Sequence, residues 1–340
     1  MKTNEKITLY EPENFEENYK AYLVDLLSTN YKTYENKGDA EKERKRIWKQ
    51  LGDSETAYCD IYIDPDGKKN TDFYSALSDF LNASRISRKN NKILSFEANE
   101  APYGMITVYY KDKYGNKQHF TVHSDQLGFS AVPWIYFSNK YPLSRYFEMQ
   151  KNKEAAQFLA DYVLTTRTLG GSFLWPETLW KGYNRSRGCA KIEDRVDLTL
   201  LEIKHYFEYR DLDDKKKFKY SGDILFRYYD NLDAQTWFGF FDSFEDYVDF
   251  FMFNDFVDKD KQTKEYTPIN ILTGKAFETD YPGYKTNTLK EIEDEKQLKE
   301  MLEQVRDMVE KRTKKMEDLI NEYKQTNDTK GEKHENILHE

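Results

Sequence analysis

Cysteine, histidine, glycine and proline are all thin in this sequence. Two cysteines, Cys59 and Cys189, among 340 residues make no disulfide scaffold and fit a reducing compartment. No run approaches the roughly 18 apolar residues that would span a bilayer. The opening stretch, Met1 to Glu13, is polar and holds no apolar signal core. No membrane partner is therefore expected, and the expected location is the cytoplasm. A basic excess is missing as well: 52 lysines and arginines against 61 acids leave a net charge of −9. That balance argues against a protein that coats nucleic acid and leaves room only for local basic patches. There is no Walker pattern and no dinucleotide-binding fingerprint. Five histidines are present, and His119 with His123 lie four apart on one face of an expected strand. No cysteine or acid at ligand spacing completes a site with them, so no metal site is expected.

What is there is aromatic. Apolar residues make up 38% of the chain, but Phe, Trp and Tyr alone make up 16%, enough for a sizeable core because each ring buries about 150–250 Å². Lys, Asn, Tyr, Ile and Phe are plentiful while Ala, Gly and Pro are scarce. That is the bias of A/T-rich codons and points to a low-GC bacterium, or a phage or mobile element of one.

Hydrophobic spacing sets the expected architecture. Phe73, Leu77, Phe80 and Leu81 predict a helix from Thr71, after an Asp60/Asp64/Asp66 stretch whose Pro-Asp-Gly reads as a turn rather than a calcium loop. Ile106–Tyr110 and His119–Val122 flank Lys113–Lys117 as a β-hairpin, and Val132–Phe137 suggests a further strand. A long helix from Ser144 stops at Gly170–Gly171. A loop covers Ser172–Cys189, and a helix resumes over 191–209. Ser243 opens a buried helix to Val257, followed by a loop containing Pro268. Leu298, Leu302, Val305, Val309, Arg312, Met316, Leu319 and Tyr323 step by four and three, a heptad seam with one arginine in it. The expectation is a helix-rich α+β protein with an antiparallel hairpin sheet in its N-terminal half and a long C-terminal helix. Its parts are expected at 1–143 (α+β), 144–287 (mainly helical), 288–325 (the coiled-coil-like helix) and 326–340 (a disordered tail).

The stretch 164–207 carries the densest pattern: Leu169–Gly170–Gly171, Trp175–Pro176, Asn184, Arg187–Gly188, then Ile192–Glu193–Asp194–Arg195–Val196–Asp197–Leu198–Thr199–Leu200. It resembles a family of uncharacterised bacterial proteins that carry a Gly-Gly stop, an apolar-Pro pair, Asn-x-x-Arg-Gly and Ile-x-Asp-Arg-x-Asp-Leu-Thr-Leu. Asp64–Pro65–Asp66, Ser124–Asp125 and Tyr247–Phe251 look like further signposts of it. The resemblance implies a shared core and no known activity. An acid is expected directly after Thr-Leu, where this chain has Leu201 and carries Glu202 one place later.

Chemically, Asn184, Arg187 and Arg195 are the expected ligand-binding groups, and Asp194, Asp197, Glu202 and His205 the expected catalytic ones. Gly182 and Gly188 let backbone approach a ligand closely, and an arginine can grip an anion with two hydrogen bonds. The same residues read equally as a structural lock of ion pairs at a helix start. Glu202–Ile203–Lys204 spells the Glu-x-Lys of many metal-dependent nucleases, though on a helix rather than a strand. Lys215–Tyr220 mixes charge with aromatics as nucleic-acid surfaces do. The best functional expectation is a phosphate-bearing ligand, a nucleotide or nucleic acid, bound at 182–205 in a setting of phage–bacterium conflict. The alternative is a non-catalytic interaction module using aromatic surfaces, with a protein partner or a homodimer through 298–323. No cofactor is specified by the sequence, and the sequence does not decide whether the protein is an enzyme.

Overall fold

The computed structural model describes residues 71–99, 105–126, 168–179, 196–210, 223–278 and 295–337, with single positions between 154 and 166 and at 212. The expected strand at 132–137 and the residues before 71 lie outside these. Helix α1, Thr71–Ser87, buries Tyr74, Leu77, Phe80 and Leu81 along one stripe. It ends where Lys89 takes a positive φ of 53° and Asn90 N–H closes on the Arg85 carbonyl.

Strands β1 (Ile93–Ala98), β2 (Met105–Lys111) and β3 (Lys117–Gln126) form an antiparallel meander. The hairpin expected from sequence is present, with Val108 opposite Phe120 and Lys111 opposite Lys117. Asp112 closes its turn by accepting from the Tyr114 and Asn116 N–H groups at 2.9 Å, and Gly115 supplies a φ of 85°. Alternation then sorts the sheet: Ile106, Val108 and Val122 are sealed inside with Phe96, while Lys111, Lys117 and His119 face out. His123 shares that face with His119, as its spacing predicts, but is buried.

Two expected loops are strands. Ser172–Pro176 is β4, which pairs with β3 from Val122–Pro176 to Gln126–Ser172 and completes the four-stranded sheet. All five of its residues are buried, so it shows no alternation for a sequence to reveal. It also draws that sheet from both sides of residue 143. Tyr266–Asn270 is β6, the middle of a second antiparallel sheet between β5 (Val257–Lys259) and β7 (Lys275–Ala276). Its Pro268 reads as a strand breaker, but it sits where pairing passes from β5 to β7, and its carbonyl accepts from Phe277 N–H at 2.9 Å.

Helix α2, Val196–Arg210, leads to α3 (Leu232–Gly239) and α4 (Phe244–Phe250). Ser243 caps α4 by accepting from Asp246 N–H, as its Ser-x-x-Asp spacing predicts. The helix stops at Phe250 rather than Val257, because Met252 turns the chain with a φ of 56°. Trp237, Phe240, Phe241, Tyr247, Phe250, Phe251 and Phe253 then make the aromatic centre of a core shared with α1 and the first sheet. Helix α5, Glu295–Ile337, lays Leu302, Val305, Val309, Arg312 and Met316 into that core. The heptad seam thus packs against the chain's own body, and the helix backbone continues through Ile337, across most of the stretch expected as a disordered tail.

One contact protects the open edge of the sheet. Strand β1 lies at the edge, and Asn82 of α1 reaches it as a neighbouring strand would. Its Nδ2 donates to the Phe96 carbonyl at 2.8 Å and its Oδ1 accepts from Phe96 N–H at 3.0 Å, with Ser78 Oγ adding a bond to the same carbonyl. Asn82→Ala is expected to cost about 1–2 kcal/mol, two hydrogen bonds at roughly 1 kcal/mol each. Urea denaturation checks this; an unchanged midpoint would mean that water serves Phe96 equally well.

Candidate functional site

Of the expected site residues, Asp197, Glu202 and His205 are described, and all three sit on α2. Asn184, Arg187, Asp194 and Arg195 lie outside the described residues, as do Cys189 and the lysines at 215–219.

Helix α2 is enclosed: every residue from Val196 to Ile203 is buried. Its apolar stripe predicts one buried face, but the helix is surrounded, so its polar residues also point into protein and need partners there. Asp197 faces the second sheet, and its Oδ2 accepts from Ile271 N–H at 3.0 Å, fastening the turn after β6. Lys204, seven residues on and therefore on the same face, donates to the Tyr266 carbonyl at 3.1 Å and pairs with Glu265. Glu202 points elsewhere. Its two oxygens accept from Ile224 N–H at 3.1 Å and Leu225 N–H at 2.9 Å. This carboxylate thereby caps the short 3-10 turn Leu225–Tyr228 and complements the partial positive charge of its N-terminus. Glu202 and Lys204 thus serve opposite sides of the helix, so the Glu-x-Lys tripeptide does not converge on a metal-binding geometry. Leu201, standing where the family pattern leads one to expect an acid, packs with Leu198 and Phe277.

Glu202, His205, Tyr206 and Tyr209 share one face, spaced three, four and seven along the helix. Opposite them runs the segment Asp223–Tyr229, and between the two lies a small cleft. Its polar centre is an ion-pair geometry: His205 Nδ1 lies 2.6 Å from Asp223 Oδ2, with 12% and 9% of the two side chains exposed. Its walls are aromatic. The Tyr209 and Tyr229 rings meet edge-on at 3.8 Å, Phe226 stands 5.3 Å from Tyr209, and Tyr206 lies 5.5 Å from Tyr229. Burial pushes the Tyr206 hydroxyl well above its ordinary pKa, which keeps it neutral. At the far end of the helix Arg210 lies over the Phe207 ring at 4.6 Å. It donates to the carbonyl of Phe238, near the end of α3, and to those of Phe241 and Asp242 in the turn that follows.

An aspartate paired with one imidazole nitrogen fixes the ring's orientation. This is the arrangement of an oriented acid/base or anion donor. The sequence reading found His205 but missed Asp223, eighteen residues away in a mixed basic and aromatic segment. It also missed the tyrosines that wall the cleft, because aromatic residues at helical spacing read as core.

A family model described as a family of unknown function (DUF6994) matches residues 59–316. The chain belongs to that family. No curated protein and no solved structure is similar to it at a meaningful level. The match spans the first sheet, the His205–Asp223 cleft and α5 as far as Met316, just past Arg312 and Thr313.

Proposed function

We propose that this protein binds a phosphate-bearing ligand, a nucleotide or a nucleic-acid strand, at the motif spanning 182–205, with His205 at its inner end. The observation that carries the reading is the His205–Asp223 pair at 2.6 Å inside an aromatic-walled cleft, on the same helix that continues the motif. Asp223 pairs with Nδ1 and fixes the orientation of the imidazole at this end of the motif. Aromatic walls suit a base or sugar face beside it. Asn184, Arg187 and Arg195 are the residue types that complete an anion site, and Arg187 is the one that can grip two oxygens at once. The A/T-rich residue usage favours a low-GC bacterium or its phage as the source and the two cysteines favour a reducing cytoplasm, with phage–bacterium conflict as the proposed setting. The motif of residues 169–200 would then be the family's signature of the site.

Titration calorimetry with a nucleoside triphosphate and with inorganic phosphate tests this at two salt concentrations. Arg187→Ala is expected to weaken binding at least tenfold, about 1.4 kcal/mol. Lys215→Ala with Lys216→Ala should cost only a few-fold, because exposed lysines act as screened point charges. His205→Gln, with its fold checked by circular dichroism, should weaken binding. A larger effect from the lysine pair, with a steep salt slope, would mean a nonspecific surface. A parent protein that binds neither probe would leave the non-catalytic interaction module as the better reading.

A further inference from the structure

The outward face of the first sheet carries a different group of residues from the motif. Residues directly opposite in an antiparallel pair share a face, and Tyr109 lies opposite His119 and Lys111 opposite Lys117. The Tyr109 and His119 rings are 5.9 Å apart, and Lys117 Nζ stands 4.3 Å over the Tyr109 ring. At the tip of the hairpin, Tyr114 is 77% exposed, the most exposed large apolar side chain among the described residues, with Lys113 Nζ 5.1 Å from its ring. An exposed tyrosine at a hairpin tip has no role in the core, which the other face of these strands already supplies through Val108, Tyr110 and Phe120.

Charge at this end of the sheet is mostly of one sign. Lys111, Lys113 and Lys117 are exposed, and none has a carboxylate partner among the described residues. The nearest acid in sequence, Asp112, is turned into the hairpin loop. It accepts from Tyr114 N–H, Asn116 N–H, the Asn116 amide and the Gln118 amide. Glu97, on β1 opposite Thr107, is the acid whose negative charge raises the pKa of the Tyr109 hydroxyl. A local cationic stripe in a chain of net charge −9 is a specific feature rather than the average of its surface.

We infer that this sheet face, Tyr109, His119 and Tyr114 set among Lys111, Lys113 and Lys117, is a docking platform for single-stranded nucleic acid. Same-face residues along a strand repeat every ~6.8 Å, so rings and ammonium groups alternate along the hairpin. That pattern offers stacking for bases and point charges for phosphates. A duplex hides its base faces, so the rings select a single strand. The inference does not rest on the phosphate site proposed for 182–205.

Fluorescence anisotropy of a labelled oligothymidylate on the full-length protein tests it, with a duplex of equal length as the comparison. Tyr109→Ala is expected to weaken single-strand binding about 5- to 150-fold, the range for one stacked base. Lys111→Ala with Lys117→Ala should reduce the slope of log affinity against log salt by about 1.4, roughly 0.7 for each phosphate no longer neutralised. Lys111 and Lys117 are exposed and Tyr109 is half-buried, and an unchanged urea midpoint confirms that the fold is intact. Arg187→Ala separates the two sites. Loss of oligonucleotide binding in Arg187→Ala, with the sheet variants unaffected, would overturn the platform and leave the motif site standing. Loss in the sheet variants alone, or in both sets, supports the platform. No single-strand binding by the parent, or equal binding of the duplex, would overturn it.

Discussion

Arg312→Met is expected to destabilise the protein by about 3 kcal/mol or more, from three buried carbonyls left unpaired at roughly 1–3 kcal/mol each. Arg312 is among the largest fully buried side chains in the molecule, and burial draws its guanidinium down to a pKa of about 9. A cation so placed needs compensation, and the structure supplies it without a carboxylate. Nε donates to the Phe251 carbonyl at 2.9 Å, and one terminal nitrogen donates to the Gly170 and Ser172 carbonyls at 2.7 Å each. The guanidinium also lies over the Phe253 ring at 3.9 Å. Two effects oppose each other on substitution. Methionine removes the cost of burying a charge, which favours the variant. It also strands three buried carbonyls, each worth roughly 1–3 kcal/mol when unpaired. The second effect should win, because methionine brings no donor of its own to replace the fork. Folded proteins hold only about 5–15 kcal/mol in reserve, so the urea midpoint should fall steeply. Arg312→Lys should recover only part of the loss, since an ammonium lacks the fork geometry that reaches Phe251 on one side and Gly170 and Ser172 on the other. A methionine variant as stable as the parent would show that the buried charge costs as much as its hydrogen bonds return.

Arg312 also shows how far the sequence could be read. The heptad spacing identifies a long helix from 298 onward and marks the arginine as the one misfit in its seam. What satisfies the arginine is invisible, because its acceptors are backbone carbonyls about 60 and 140 residues away, and any residue carries a carbonyl. The hairpin around Gly115 was legible for the opposite reason: its partners are neighbours and its turn depends on residue type. Strand β4 was read as a loop, and helix α2, correctly read as a helix, was read with only one buried stripe. Both are covered on all sides, and periodicity reports only elements with one face in water. Helix α3 is too short, at Leu232–Gly239, to build a periodic signal at all. At the candidate site, His205 stood out as the only histidine near the motif. Its partner Asp223 did not, since nothing local in the chain couples the two. Asp197 and Glu202 were legible as candidate acids in a dense motif. Their acceptance of backbone N–H groups at Ile271, Ile224 and Leu225 depends on a fold that brings distant turns against one helix.

Gly170→Ala and Gly171→Ala are expected to be the most damaging glycine substitutions among the described residues. The pair reads from sequence as a helix stop, and neither glycine has a positive φ. Their requirement is space. A Cβ on Gly170 would sit 2.3 Å from the Val309 carbonyl oxygen and 2.5 Å from Thr313 N, both backbone atoms of α5. A Cβ on Gly171 would sit 1.8 Å from the Thr166 carbonyl oxygen. Real Cβ atoms do not approach backbone so closely, and backbone cannot rotate away as a side chain can. The 3-10 turn Leu169–Gly171 is therefore pressed against α5, and polar contacts record the fit. Thr313 Oγ1 accepts from Gly170 N–H at 3.1 Å and lies 2.8 Å from Thr168 Oγ1. Any added methyl pushes α5 outward and lengthens the Arg312 bonds to Gly170 and Ser172 with it. The expected loss is about 3 kcal/mol or more for Gly170→Ala, at the upper end of overpacking costs. Gly171→Ala should be worse and yield little soluble protein. Because the turn and the arginine fail together, Gly170→Ala combined with Arg312→Met should cost clearly less than the two single effects added. Urea denaturation of the two single variants and the double variant measures that coupling. Fully additive effects would show that the glycine contact and the arginine network hold α5 independently.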